Sequence, residues 1–155
     1  LDKEGWTSAS PSNEWEPSLR SGETKADFIL RRMYEKLELP GTLSDYHFAI
    51  QNCHDELQGQ VRHAPSVLEE IERLCGLDIG LIEHYPETIT WEMERRKQFA
   101  RVSAFHRLID LYLNEGYIAE AMNVAEIAER FEQGGYAAER LRERVAMVEA
   151  ENDAE

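Results

Sequence analysis

Only two of the 155 residues are cysteine, Cys53 and Cys75. Two thiols cannot build the disulfide framework of a small secreted scaffold. Both sit among apolar residues at helical spacing, where free cysteines act as small hydrophobes. The expectation is reduced thiols in a cytoplasmic protein. No apolar run approaches the ~18 residues that a membrane-spanning helix needs, so a membrane is not an expected partner. The opening Leu1-Asp2-Lys3-Glu4 holds no apolar signal core, and Leu1 in place of an initiating Met points to processing or trimming. Basic side chains are also scarce. Seventeen Lys and Arg face 31 Asp and Glu, for a net charge of −14. Such a balance repels nucleic acid and anionic membranes at long range, and it leaves a basic partner, a cation or plain solvation.

The usual chemical signatures are missing too. The chain has no H-E-x-x-H, no C-x-x-C, no Gly-rich phosphate loop and no G-x-S-x-G elbow. His54-Asp55-Glu56 beside Cys53 gathers metal-binding residue types, but consecutive helical residues point in different directions. His47 and His54 share a face two turns apart, with no third ligand close in sequence. A nucleophilic cysteine needs a base and an electropositive setting. Cys53 has only the diverging His54, and Cys75 lies on an apolar stripe. No catalytic residue, metal ligand or cofactor is therefore assigned, and the chain reads as a non-enzyme.

What remains is a chain able to build a core, with 42% hydrophobic and 31% charged residues. Residues 1–22 are rich in Ser, Pro, Gly and Glu without helical or strand periodicity, and read as a poorly ordered arm. Trp6 and Trp15 in that arm are candidates for docking, on this molecule or on a partner. From there the apolar spacing predicts about six helices. The first runs from Thr24 to Leu39 and stops at Pro40-Gly41. A second opens at Ser44 as N-cap, with a stripe of Tyr46, Ile50, Cys53, Leu57 and Val61. Ser66 and Glu69 form an S-x-x-E capping box for a third, which Gly76 ends. Leu77 to Tyr85 makes a short helix closed by Pro86. A long helical pattern spans Thr88 to Glu115, another runs from Tyr117 to Gln133, and a last one begins at Tyr136. The fold class is all-α. Short connections imply antiparallel helical hairpins, stacked as a repeat-like or bundle-like single domain over residues 23–150, with a frayed acidic tail at 151–155.

Phe105, Leu108, Ile109 and Tyr112 precede a turn glycine, Gly116, and Ala121, Ala125 and Ala128 follow on the next helix. These residues, from Phe105 to Gln133, resemble a tetratricopeptide repeat (TPR), one unit of a helix-turn-helix solenoid. The TPR-like pattern departs from the family at three places. Ile109 replaces a small residue, Ala125 an aromatic one, and Gln133 a proline. Small residues at 121 and 128 let two helices approach, and such a pair needs stacked neighbours to bury its face. The resemblance implies binding of a peptide or protein segment. Repeat stacks also pair through uncapped ends, which keeps a homo-oligomer open, while the charged last helix would serve as a cap.

Gly76, Leu77, Ile82 and Tyr85, with Ile71 upstream, resemble a DNA-binding helix-turn-helix. That would imply a nucleic-acid-linked regulator. Against it, residues 67–94 hold eight acids and one base, Arg73, whereas DNA affinity rests on cationic contacts to phosphate. The same acids, Glu69, Glu70 and Glu72, suggest instead an inhibitor that occupies a basic site. The one basic cluster is Arg95, Arg96, Lys97, Arg101 and Arg107. Glu92 and Arg96 read as an i, i+4 pair on a solvated helix face, and the cluster could also hold an acidic peptide or a nucleic acid. Arg95, Arg96, Arg101 and Arg107 are the partner-binding candidates.

Overall fold

The computed structural model of the protein describes residues 17–93 and 96–154, with the side chains of 91–98 and 136–138 outside that description. Trp6, Trp15 and Arg95 therefore lie outside the described residues. The chain divides into two compact units, Leu1–Ile89 and Thr90–Glu155. Six α-helices carry nearly all of the described secondary structure, so the all-α expectation holds. No helix among the described residues is long and apolar enough to cross a membrane.

The first unit holds α1 (Lys25–Leu37), α2 (Leu43–Gln58), α3 (Val67–His84) and a 3-10 turn at Pro86–Thr88. Both early helices begin with reciprocal capping boxes. Thr24 caps α1 with Asp27, and Thr42 caps α2 with Asp45, each threonine hydroxyl accepting from the aspartate N–H. Two otherwise orphaned donors are thus satisfied at each end. The cap of α2 is Thr42, not Ser44, whose hydroxyl instead donates 2.7 Å to the Thr88 carbonyl. The expected box at Ser66 is also absent. Ser66 already has helical backbone angles and makes no side-chain cap bond.

A larger correction concerns α3. The helix runs without interruption through Gly76 and Gly80 to His84. Two glycines weaken a helix by about 1 kcal/mol each. Here tertiary burial overrides that cost, because Ile71, Leu74, Cys75, Ile79 and Ile82 are all buried along one face. That face meets Ile50, Cys53 and Leu57 of α2 in the core, with Phe28, Ile29 and Met33 of α1 also inside. Outside the core, Arg31 of α1 ties down the preceding segment. It donates to both carboxylate oxygens of Glu23, at 2.6 and 2.8 Å, to Glu35 at 3.0 Å and to the Ser18 carbonyl at 2.9 Å.

The second unit opens with a surprise for a helical reading. Thr90–Met93 (β1) and Arg96–Phe99 (β2) are antiparallel strands. The long helix expected from Thr88 begins only at Ser103, as α4 (Ser103–Glu115). In this ribbon Glu92 stands opposite Lys97 and Met93 opposite Arg96. The predicted helical i, i+4 relation of Glu92 to Arg96 is therefore lost, and Glu92 has Lys97 as its cross-strand neighbour instead. Then come α5 (Ile118–Arg130) and α6 (Gly134–Asp153), so Gly134 and Gly135 start a helix instead of ending one.

Helices α4 and α5 end alike. After α4, Gly116 adopts φ +84°, its N–H bonds the Leu113 carbonyl, and the Tyr117 N–H reaches Tyr112. After α5, Glu132 adopts φ +56°, its N–H bonds Glu129, and the Gln133 N–H reaches Ala128. Both are Schellman caps, which satisfy the last orphan carbonyls through one left-handed residue. At the first that residue is glycine, which tolerates it freely.

Candidate functional site

Two places have the geometry of a site, one in each unit. In the second unit the residues from Phe105 to Ala128 pack as a helical hairpin. Phe105, Leu108 and Ile109 of α4 are buried, as are Ala121, Ala125 and Ala128 of α5, with Ala121 and Ala128 at 0% exposure. α4 packs on α5, and α6 packs on both of them. Arg140 of α6 reaches Asp110 of α4 at 2.8 Å. Phe131 closes the end of the pair, 6.2 Å from the Phe105 ring and 5.8 Å from Phe99.

Gln133, at the end of the hairpin, has a specific job here. Its amide nitrogen donates to the Ala100 carbonyl at 3.0 Å and the Phe131 carbonyl at 3.1 Å, and its oxygen accepts from the Val102 N–H at 3.1 Å. A proline there could make none of these side-chain bonds. Beside this clamp lies a cavity of about 390 Å³ lined by Arg101, Val102, Phe105, His106 and Gln133. Of the predicted basic cluster, the structure places Arg101 at this cavity and exposes it, and sets Arg107 half-buried on α4. Arg96 falls on β2.

The chain matches no family model, curated protein or solved structure. Its chemistry must therefore be read from its own residues.

The other place was invisible as a unit in the sequence. His47, His54 and Asp78 are each 0% exposed. α2 supplies the two histidines, and α3 supplies Asp78 from an otherwise apolar face. His47 Nδ1 stands 2.6 Å from Asp78 Oδ1, a buried hydrogen bond. His54 Nε2 is 4.0 Å from Asp78 Oδ2, and its Nδ1 is 3.3 Å from Asp55 Oδ1. These are charge contacts without hydrogen-bond geometry. Among the described residues, His47 Nε2, both His54 nitrogens and Asp78 Oδ2 have no partner at hydrogen-bond geometry. Such groups are costly to bury unless charge compensates. Burial presses the His54 pKa down, but Asp55 and Asp78, followed by Cys75, outweigh it and hold it up to about 10. Among the described residues, no group of three His, Cys, Asp or Glu side chains could hold a metal ion. The two cysteines are free and buried. Burial pushes the Cys53 thiol up to about 12, the opposite of an activated nucleophile.

The acidic candidates of α3 are separate from both places. Glu69 and Glu72 are exposed, and Glu70 accepts from Arg73 at 2.6 Å. Because α3 is continuous at Gly76, the helix-turn-helix corner has no turn and offers no separate reading helix.

Proposed function

We propose that the protein is a non-catalytic helical interaction module, in a reducing cytoplasmic setting, that binds a peptide or protein segment through its second unit. The observation that carries this reading is the cavity beside α4. Its cationic wall (Arg101), apolar floor (Val102 and Phe105) and imidazole (His106) suit an acidic or amphipathic side chain of a partner. Large apolar residues exposed in the same unit support it: Tyr117, Met122 and Met147 offer area of the kind protein contacts use. The packing of α6 on both α4 and α5 agrees with a repeat-like stack whose last helix closes it.

The test is a pull-down from native lysate at low and moderate salt, with the wild type beside Arg101→Glu. The reading expects a discrete protein that survives moderate salt and is depleted by the charge reversal. Capture of nucleic acid alone, lost as salt rises, would overturn it.

A further inference from the structure

The buried trio in the first unit is not used by the proposed binding role. A carboxylate as fully buried as Asp78 needs a compensating positive charge or it neutralises. Among the described residues, the groups placed to supply that charge to Asp78 are two imidazoles, His47 at 2.6 Å and His54 at 4.0 Å. His54 lies between two carboxylates, Asp78 and Asp55, so it is the better home for a proton. His47 then keeps its Nδ1 hydrogen on Asp78 and orients that carboxylate.

The surrounding elements leave this assignment intact. From α3, Cys75 also faces His54, while His84 is turned back to its own Gly80 carbonyl. From α1, which also packs on α2, Arg32 is paired with Glu56. From the 3-10 turn, Glu87 is exposed, and the contact to α2 is the Ser44–Thr88 hydrogen bond.

We propose that His47, Asp78 and His54 form a proton-held latch between α2 and α3, closed around an imidazolium and loosened when that proton is lost. The sign follows from the raised pKa of His54. Its contribution is fully present below the ordinary histidine pKa of 6.5 and disappears as pH rises through about 10. Asp55 is a neighbour of His54 on the same helix, whereas Asp78 lies on α3, so Asp78 is the carboxylate whose removal tests the link between the two helices.

The experiment is long-range ¹H–¹⁵N NMR of the histidine rings in the full chain from pH 6 to 10.5, on wild type and Asp78→Asn. The latch requires both His54 nitrogens protonated at pH 7, with a midpoint above 8. It also requires Asp78→Asn to lower that midpoint by at least one pH unit, a tenfold change in proton affinity. A wild-type His54 ring that is neutral at pH 7 would overturn the proposal, and so would a midpoint unmoved by Asp78→Asn. Should Asp78→Asn not fold, the wild-type ring decides alone. As a second measurement, denaturant midpoints of wild type and His54→Gln are compared across pH 7 to 10. Wild type should lose its advantage over the variant as pH rises. An advantage that stays constant would refute the latch.

Discussion

Replacing Gly76 and Gly80 by alanine tests the continuity of α3 with a clear sign. Both glycines lie inside the helix, and a Cβ added at either would meet nothing within 4 Å. An added methyl there makes no clash. It lowers the conformational entropy of the unfolded chain and removes the helix penalty of glycine. Each change should stabilise by about 0.5–1 kcal/mol, so the double variant gains about 1–2 kcal/mol. For a unit of this size that is a rise in melting temperature on the order of 5–10 °C. Far-UV circular dichroism and calorimetry would measure it. Gly116→Ala serves as the opposite control, since its φ of +84° makes any side chain costly by about 1–2 kcal/mol. If Gly76→Ala destabilised as Gly116→Ala does, the glycine would sit at a left-handed turn. The uninterrupted helix would then be wrong and the helix-turn-helix corner would return.

Three further outcomes follow from other parts of the chain. Glu132 holds a left-handed φ of +56°, so Glu132→Gly should stabilise the second unit by about 1 kcal/mol in a denaturant titration. Ala128 is fully buried between helices, so Ala128→Leu should cost about 1–3 kcal/mol by overpacking, read as a lower unfolding midpoint. Glu23 accepts from the Arg31 guanidinium and from the Arg20 N–H, which hold its pKa down to about 2. Its support is present above the ordinary carboxylate range and vanishes as pH falls through about 2. An NMR titration should find that midpoint, and Arg31→Gln should return it toward 4.5.

The helices were legible where local chemistry and tertiary packing agree. The expected start at Thr24 and stop at Pro40-Gly41 bracket α1 as the structure has it, while its Thr24–Asp27 capping box was seen only in space. The errors have physical causes. Ser66 looks like a cap because it precedes an apolar run with Glu69 three places on, yet Pro65 and Ser66 already belong to a turn leading into the helix. Gly76 looks like a stop because propensity is local, while the burial that carries α3 past it depends on packing against α2. The strands at Thr90–Phe99 were missed because Trp91, Phe99 and Val102 also fit helical spacing, and four-residue strands give almost no period. The buried trio escaped because its third member lies 31 residues from His47. One signal was available: Asp78 occupies an inward position among Cys75, Ile79 and Ile82, where a carboxylate calls for a partner.

The amide of Gln133 has a consequence for how the second unit can be cut. By joining Ala100 and Val102 to the far end of α5, it fastens the stretch from Ala100 to Gln133 into a ring closed by a side chain. A ring has no obligatory place for its opening. A break at the exposed Gly116–Tyr117 turn would leave α4 and α5 held at their other end. New chain ends, or an inserted domain, should therefore be tolerated at that turn far better than between Arg101 and Ser103, where a single cut releases the fastening.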